Sequence, residues 1–83
     1  MPNVTVRFFA RYAELTGCES TAVRIAGDSA TVGDVLARVR ETIPGAGALP
    51  PRPLAAVNQH QAKLDAPVKD GDEVAILPPL SGG

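Results

Sequence analysis

One apolar stripe limits what this chain can become. Val32, Val35, Leu36, Val39 and Ile43 recur at the i, i+3, i+4, i+7 spacing of a helix with a single buried face. Thr31 stands where an N-cap belongs, and Asp34 follows at the capping-box distance, replacing the preferred Glu or Gln. Pro44-Gly45 stops the helix. Arg38, Arg40 and Glu41 fall on its outer face, and the arginines bring positive charge toward the C-terminal end, where the helix dipole favours it. Nothing else in the chain repeats this period over a comparable length. The stripe must therefore be buried against strands, as a single helix laid on a sheet.

The strands read from their own period. Val4, Val6 and Phe8 alternate with Thr5 and Arg7, as in a half-buried strand. Phe9 to Leu15 has helix-compatible spacing but is short, and Gly17 can end it in the left-handed region. Ser20 to Ala26 fits a second strand, with Ala22, Val23 and Ile25 as its apolar members and Gly27-Asp28-Ser29 as a turn. Its closeness to the first strand suggests an antiparallel pair. Residues 44–53 carry Pro44, Pro50, Pro51, Pro53, Gly45 and Gly47 and read as an irregular, solvent-facing loop. Leu54 to Val57 is a short strand ended by Asn58-Gln59, and Ala62-Lys63-Leu64 fits a brief edge strand. Asp70-Gly71-Asp72 is a tight turn leading into Glu73-Val74-Ala75-Ile76-Leu77. The expected class is α+β: a mixed sheet of about five strands with one main helix on one face. A central first strand with the last parallel beside it ties down both ends except a protruding C-terminal tail.

Composition narrows the function. A chain of 83 residues supports one small domain with a modest core. With 45% hydrophobic and 20% charged residues it is no disordered polar chain. A formal net charge of −1 gives no overall field toward nucleic acid or an anionic membrane. No apolar run approaches the roughly 18 residues of a membrane span. The first residues lack the basic and apolar regions of a signal peptide. Cys18 is the lone cysteine, so no internal disulfide is available. The expectation is a cytoplasmic domain that folds without staples.

The ending, Leu77-Pro78-Pro79-Leu80-Ser81-Gly82-Gly83, has a shape of its own. Pro78 and Pro79 cannot donate to a sheet, so pairing stops and the chain leaves extended. Gly82 and Gly83 lack Cβ, which makes the tip thin and its terminal carbonyl open to attack. On these residues alone, two readings stay open. The tail is a frayed terminus, or a stiff arm to be inserted into something.

Ordered motifs decide between them. Val6-Arg7-Phe8-Phe9-Ala10 with Glu14-Leu15-Thr16-Gly17, then Thr31-Val32-Gly33-Asp34-Val35-Leu36, Ala55-Ala56-Val57-Asn58-Gln59, Asp70-Gly71-Asp72-Glu73-Val74-Ala75 and Pro78-Pro79-Leu80-Ser81-Gly82-Gly83 run through the chain. This series resembles the ubiquitin-like β-grasp fold. More closely, it resembles the sulfur-carrier family that contains the small subunit of molybdopterin synthase and the thiamin-pathway carrier. Only the loop at 44–53 finds no match. The resemblance implies a β-grasp domain over 1–77 and an extended tail over 78–83. It also implies that the Gly83 carboxylate is the working group, adenylated and then thiocarboxylated.

The partners implied are a ubiquitin-activating-like adenylyltransferase that uses ATP, a persulfide sulfur donor, and the large catalytic subunit of molybdopterin synthase, in a likeness of two small and two large subunits. Sulfur then passes to cyclic pyranopterin monophosphate in molybdenum cofactor biosynthesis. The double proline favours this branch over the thiamin carrier. Carriers for thiamin, cysteine or tRNA thiolation are the alternatives, as is a protein modifier that joins Gly83 to a target lysine. The chain is expected to be inactive alone, with no cofactor, metal, nucleic acid or membrane of its own.

Within the tail, Leu77, Pro78, Pro79, Leu80, Ser81 and Gly82 are the expected partner contacts, with Leu77 and Leu80 read either as partner anchors or as packing on the domain's own edge. Pre-stiffening by the prolines lowers the ordering entropy on docking. Elsewhere the plain readings hold. Cys18 is a structural thiol, lacking a neighbouring base, and His60 is a solvated loop residue. Asp70, Asp72 and Glu73 are turn acids in preference to a metal site. Phe8 and Phe9 point to opposite faces, one to the core and the other toward a partner patch.

Overall fold

The computed structural model describes residues 2–78. In chain order it holds β1 (Asn3–Phe8), α1 (Arg11–Thr16), β2 (Ser20–Arg24), β3 (Ala30–Thr31), α2 (Val32–Thr42), a 3-10 turn (Ala46–Ala48), β4 (Leu54–Val57), β5 (His60–Ala62), β6 (Pro67–Val68) and β7 (Glu73–Leu77). Five strands form one mixed sheet in the order β2-β1-β7-β4-β5, and β3 pairs with β6 in a separate two-stranded ribbon. β1 and β7 run parallel, with Val6 beside Val74 and Phe8 beside Ile76. The other pairs in the large sheet are antiparallel. The α+β, β-grasp expectation is met, with β7 at the centre and β1 next to it.

The core follows from the two periods. Val4, Val6 and Phe8 of β1, Val74 and Ile76 of β7, and Ala55 of β4 point to the same side of the sheet. The helix lays Val32, Val35, Leu36 and Val39 onto them, all buried. Each such side chain contributes about 1.5–3 kcal/mol when fully buried. The capping box forms as expected: Thr31 Oγ1 accepts from the Asp34 N–H at 3.2 Å, and Asp34 Oδ2 accepts from the Thr31 N–H at 2.9 Å. Ile43 falls just past the helix as its C-cap. α1 ends on Gly17, whose φ of 77° places it in the left-handed region expected of it.

Five local expectations are corrected. β2 stops at Arg24, not Ala26, although Ile25 beyond it stays buried and donates its N–H to the Pro2 carbonyl. The edge strand is His60–Ala62, not 62–64. Asn58 and Gln59, at φ 50° and 73°, make a two-residue turn, so pairing resumes at once with His60 opposite Val57. His60 is thus an exposed strand residue and not a loop residue. Residues 44–53 are not simply solvent-facing either, because Ala46, Leu49 and Pro53 are buried. Arg40, expected on the outer face, crosses to this loop instead: its Nη1 and Nη2 donate to the Leu49 and Pro50 carbonyls at 3.3 and 2.6 Å.

Candidate functional site

The helix covers one side of the sheet, and register fixes what the other side presents. Because side chains alternate, Val74 and Ile76 facing inward puts Glu73, Ala75 and Leu77 on the open face. The same parity on β4 sends Leu54 and Ala56 outward, with Leu54 directly opposite Leu77 and Ala56 opposite Ala75. On β1, Thr5 and Arg7 face out, beside Glu73 and Ala75. Going up the open face, polar side chains give way to apolar ones toward the end of β7, where the chain leaves the sheet at Pro78.

Two shallow grooves meet at that point, and Pro78 lines both. One lies on the open face, floored by Leu54, Ala56 and Leu77 and bordered by Gln61. The other lies between α1 and the 44–53 loop, with Tyr12, Leu15, Ala48 and Pro50 as its walls. Among the described residues, the exposed large hydrophobic side chains are Phe9, Leu15 and Leu54. All three sit at this end: Leu54 pairs with Leu77, Leu15 shares a groove with Pro78, and Phe9 follows the end of β1, parallel to β7. Phe8 is buried at 2% and Phe9 is 36% exposed, so the two rings divide as expected. The Arg7 guanidinium lies 5.3 Å from the Phe9 ring centroid, a cation–π distance, and 3.9 Å from the Glu73 carboxylate. An apolar collar surrounds the root of the tail, with Arg7 beside Phe9 and Arg11 lining the groove next to Pro78.

Leu77 and Pro78 are therefore placed at this collar, while Pro79, Leu80, Ser81, Gly82 and Gly83 lie outside the described residues. The other residues singled out from the sequence lie elsewhere or serve the fold. Asp70 Oδ1 accepts from the Asn3 N–H at 2.7 Å, and Asp72 Oδ2 accepts from the Lys69 N–H at 2.8 Å. Asn58 bridges the same turn: its Nδ2 donates to Asp72 Oδ1 at 3.0 Å, and its Oδ1 accepts from the Glu73 N–H at 2.9 Å. The Asn58 amide, then the Lys69 N–H, holds the Asp72 carboxyl below its ordinary value against a small opposing effect of burial. These acids brace a turn at the far end of β7. Cys18 is half-buried against the core, its thiol 3.8 Å from Thr16 Oγ1.

Sequence reading missed Leu15 and Leu54 as surface residues and Arg40 as a loop anchor. Leu54 could have been found from parity, since Ala55 and Val57 face the core. Arg40 had a signal too, a proline-rich loop short of backbone donors a few residues on.

Comparison with known proteins places this geometry. The description "ThiS family" matches residues 6–83. The molybdopterin synthase sulfur carrier subunit of Escherichia coli is 42% identical over 82 residues, spanning 96% of this chain and 99% of that one. Among solved structures, small archaeal modifier protein 1 of Haloferax volcanii superposes with a TM-score of 0.82 at 30% identity, covering 96% of this chain and 100% of that one. A chain in the complex of subunits 1 and 2 of the molybdopterin-converting factor of Helicobacter pylori superposes with a TM-score of 0.68 at 28% identity, covering 98% and 99%.

Proposed function

The chain belongs to the ThiS family, and from that footing we propose that it is the sulfur-carrying small subunit of a molybdopterin synthase. The observation that carries this reading is the collar: a sheet whose central strand ends at Leu77, just before Pro78, with every exposed large hydrophobic among the described residues gathered around that exit. A stiff stem leading away from an apolar seat suits a chain whose business is at its tip.

The chemistry proposed for the tip is group transfer. A carboxylate oxygen of Gly83 attacks the α-phosphorus of ATP on an adenylating partner, and pyrophosphate leaves. A persulfide then attacks the acyl carbonyl and AMP leaves; a second thiol opens the acyl disulfide to a thiocarboxylate. Activation divides a difficult substitution into easier covalent steps. Glycine at the reacting carbon keeps both faces of the carbonyl open to these attacks. The large catalytic subunit then takes the tail into its pocket, where the thiocarboxylate gives sulfur to cyclic pyranopterin monophosphate. Leu77 and Pro78, with Pro79, Leu80, Ser81 and Gly82, form the stem that both partners grip. This chain supplies the sulfur, and its partners supply the catalytic groups.

Intact mass tests the reading. After incubation with ATP, an adenylating partner and a sulfur source, the chain is expected to gain about 16 Da, one oxygen replaced by sulfur on the group carrier. Removal of Gly83 is expected to reduce that gain at least a hundredfold, about the penalty for misplacing a reacting group. Full conversion of the truncated chain would refute the assignment of Gly83. A second reading, a protein modifier, draws on the likeness to the archaeal modifier; it predicts stable conjugates of higher mass in place of a carrier that is regenerated.

A further inference from the structure

β2 and β5 hold the two edges of the large sheet, and hydrogen-bond parity shows what each leaves open. The Glu19 carbonyl accepts from the Phe8 N–H at 2.9 Å, and the Ile25 N–H donates to the Pro2 carbonyl at 2.9 Å. Between these bonds the ladder to β1 runs without a bulge, from Arg7 opposite Ser20 to Asn3 opposite Arg24. The odd-numbered residues of β2 therefore bond to β1, and Ser20, Ala22 and Arg24 turn their backbone N–H and C=O groups away from the sheet. No group among the described residues bonds to them there. β5 leaves far less. Its two-residue turn makes Val57 and His60 a bonded pair, so Gln61 is the residue of β5 that faces outward.

An open edge is ordinarily guarded by a proline, a lysine, a bulge or a covering loop. β2, Ser20-Thr21-Ala22-Val23-Arg24, has no proline, lysine or bulge, and Ser20, Ala22 and Arg24 are exposed. Its one charge stands at its end, and that guanidinium turns back across β1, its Nε donating to Asn3 Oδ1 at 3.3 Å. The edge is also self-complementary. Set antiparallel about a two-fold axis through Ala22, two copies place Ala22 opposite Ala22 and Ser20 opposite Arg24 on both sides. Each pair then exchanges both N–H···O bonds, so no outward group is left over. The two Arg24 residues stand four positions apart along the junction, about 14 Å, beyond the Debye length of about 8 Å at physiological salt. On the core side Thr21 meets Val23, a β-branched cross-strand pair. Ser20 and Ala22 carry little side chain by which a different partner could be chosen, so the main chain does the recognising. We propose that the β2 edge pairs with the β2 edge of a second copy of this chain, joining two five-stranded sheets into one. The axis lies perpendicular to the sheet, so both open faces stay on one side and the two β7 strands run in opposite directions. The groove of Leu54 and Leu77, separated from the junction by β1, remains free for a partner.

Pairing of this kind does not depend on the carrier reading. A junction of one strand with another falls in the small, transient class of interface, below about 1,200 Å². The full chain is therefore followed by sedimentation equilibrium and amide hydrogen exchange across the weak-association range of about 20 μM to 1 mM. The weight-average mass is expected to rise from 8.6 kDa toward twice that value. Exchange at Ser20, Ala22 and Arg24 is expected to slow about threefold over the same range, as mass action on a weak site dictates, while Gln61 on the other edge keeps its rate. Ala22→Pro removes the central N–H at an edge position where proline is tolerated, and Ala22→Lys sets two like charges opposite each other. Both variants are expected to stay at 8.6 kDa at the highest concentration. Ala22→Lys keeps every backbone donor of the monomer, so the test stands even if Ala22→Pro fails to fold. A wild-type chain that stays at 8.6 kDa, exchange at the three amides that ignores concentration, or a dimer that survives in Ala22→Lys overturns the proposal. Protection that appears only on adding an adenylating partner or a large catalytic subunit assigns the edge to that partner's strand, and likewise overturns pairing between copies.

Discussion

The two ends of β7 are built on opposite principles. At its start, Asp70, Asp72, Asn58 and the N–H groups of Asn3, Lys69 and Glu73 close on one another, so the polar side chains of that turn are committed within the domain. At its finish, Leu77 opposes Leu54 on the open face, with Phe9 and Leu15 exposed nearby, and the side-chain hydrogen bonds of Arg40 at this end hold the 44–53 loop and not the strand itself. The first end has satisfied its groups and offers little to a partner. The second leaves apolar surface uncovered, at a cost in water that only another surface can recover. Rigidity at one end and availability at the other belong together, because an arm is useful only if its base does not move.

The sharpest way to break this contrast is to cut neighbouring residues on opposite faces near the finish. Ile76→Ala removes a fully buried side chain and is expected to cost about 2–5 kcal/mol in urea unfolding. Leu77→Ala, one residue on and on the open face, is expected to change stability by less than about 1 kcal/mol but to weaken partner binding about tenfold in calorimetry, as for a contact residue. Equal stability losses would mean that Leu77 packs only on its own domain. At the other end, Asn58→Ala breaks both bridges of the latch and is expected to cost about 1–2 kcal/mol, with the rate of tail activation unchanged. A slowed activation would show that the two ends are coupled.

Smaller effects refine the account of the latch. Gln59 holds φ 73° in a position that favours glycine, so Gln59→Gly is expected to stabilise by about 0.5–1 kcal/mol, seen as a raised Tm. The smallest effect is electrostatic. The Asp72 pKa is lowered below 3.8 in the folded chain, so its contribution is complete above that value and is lost as pH falls through the lower, folded pKa. A Tm difference between the wild type and Asp72→Asn should therefore be present at neutral pH and shrink only in strong acid. A difference that already shrinks between pH 7 and pH 5 would contradict it.

The helix, its capping box, the parity of β1 and β7 and the Asp70–Asp72 turn are all legible in the sequence, because each depends on spacing within a few residues. The errors share a cause as well. The sequence pattern sets β5 two residues late because Gln59 is not a residue that advertises a two-residue turn. Residues 44–53 read as solvent-facing because prolines and glycines signal a loop, whereas the burial of Ala46 and Leu49 depends on where α1 and α2 stand.

By itself, then, the order of residues determined the main helix, the parity of β1 and β7 with the face each buries, and the proline before which β7 must stop, since periodicity and proline act locally. Only the tertiary structure decided that Phe9, Leu15, Leu54 and Leu77 share one end, and that Arg40 reaches across to brace the loop beside Pro78. These residues come from distant parts of the chain, and their meeting is set by strand order and register, quantities that no short window of sequence contains.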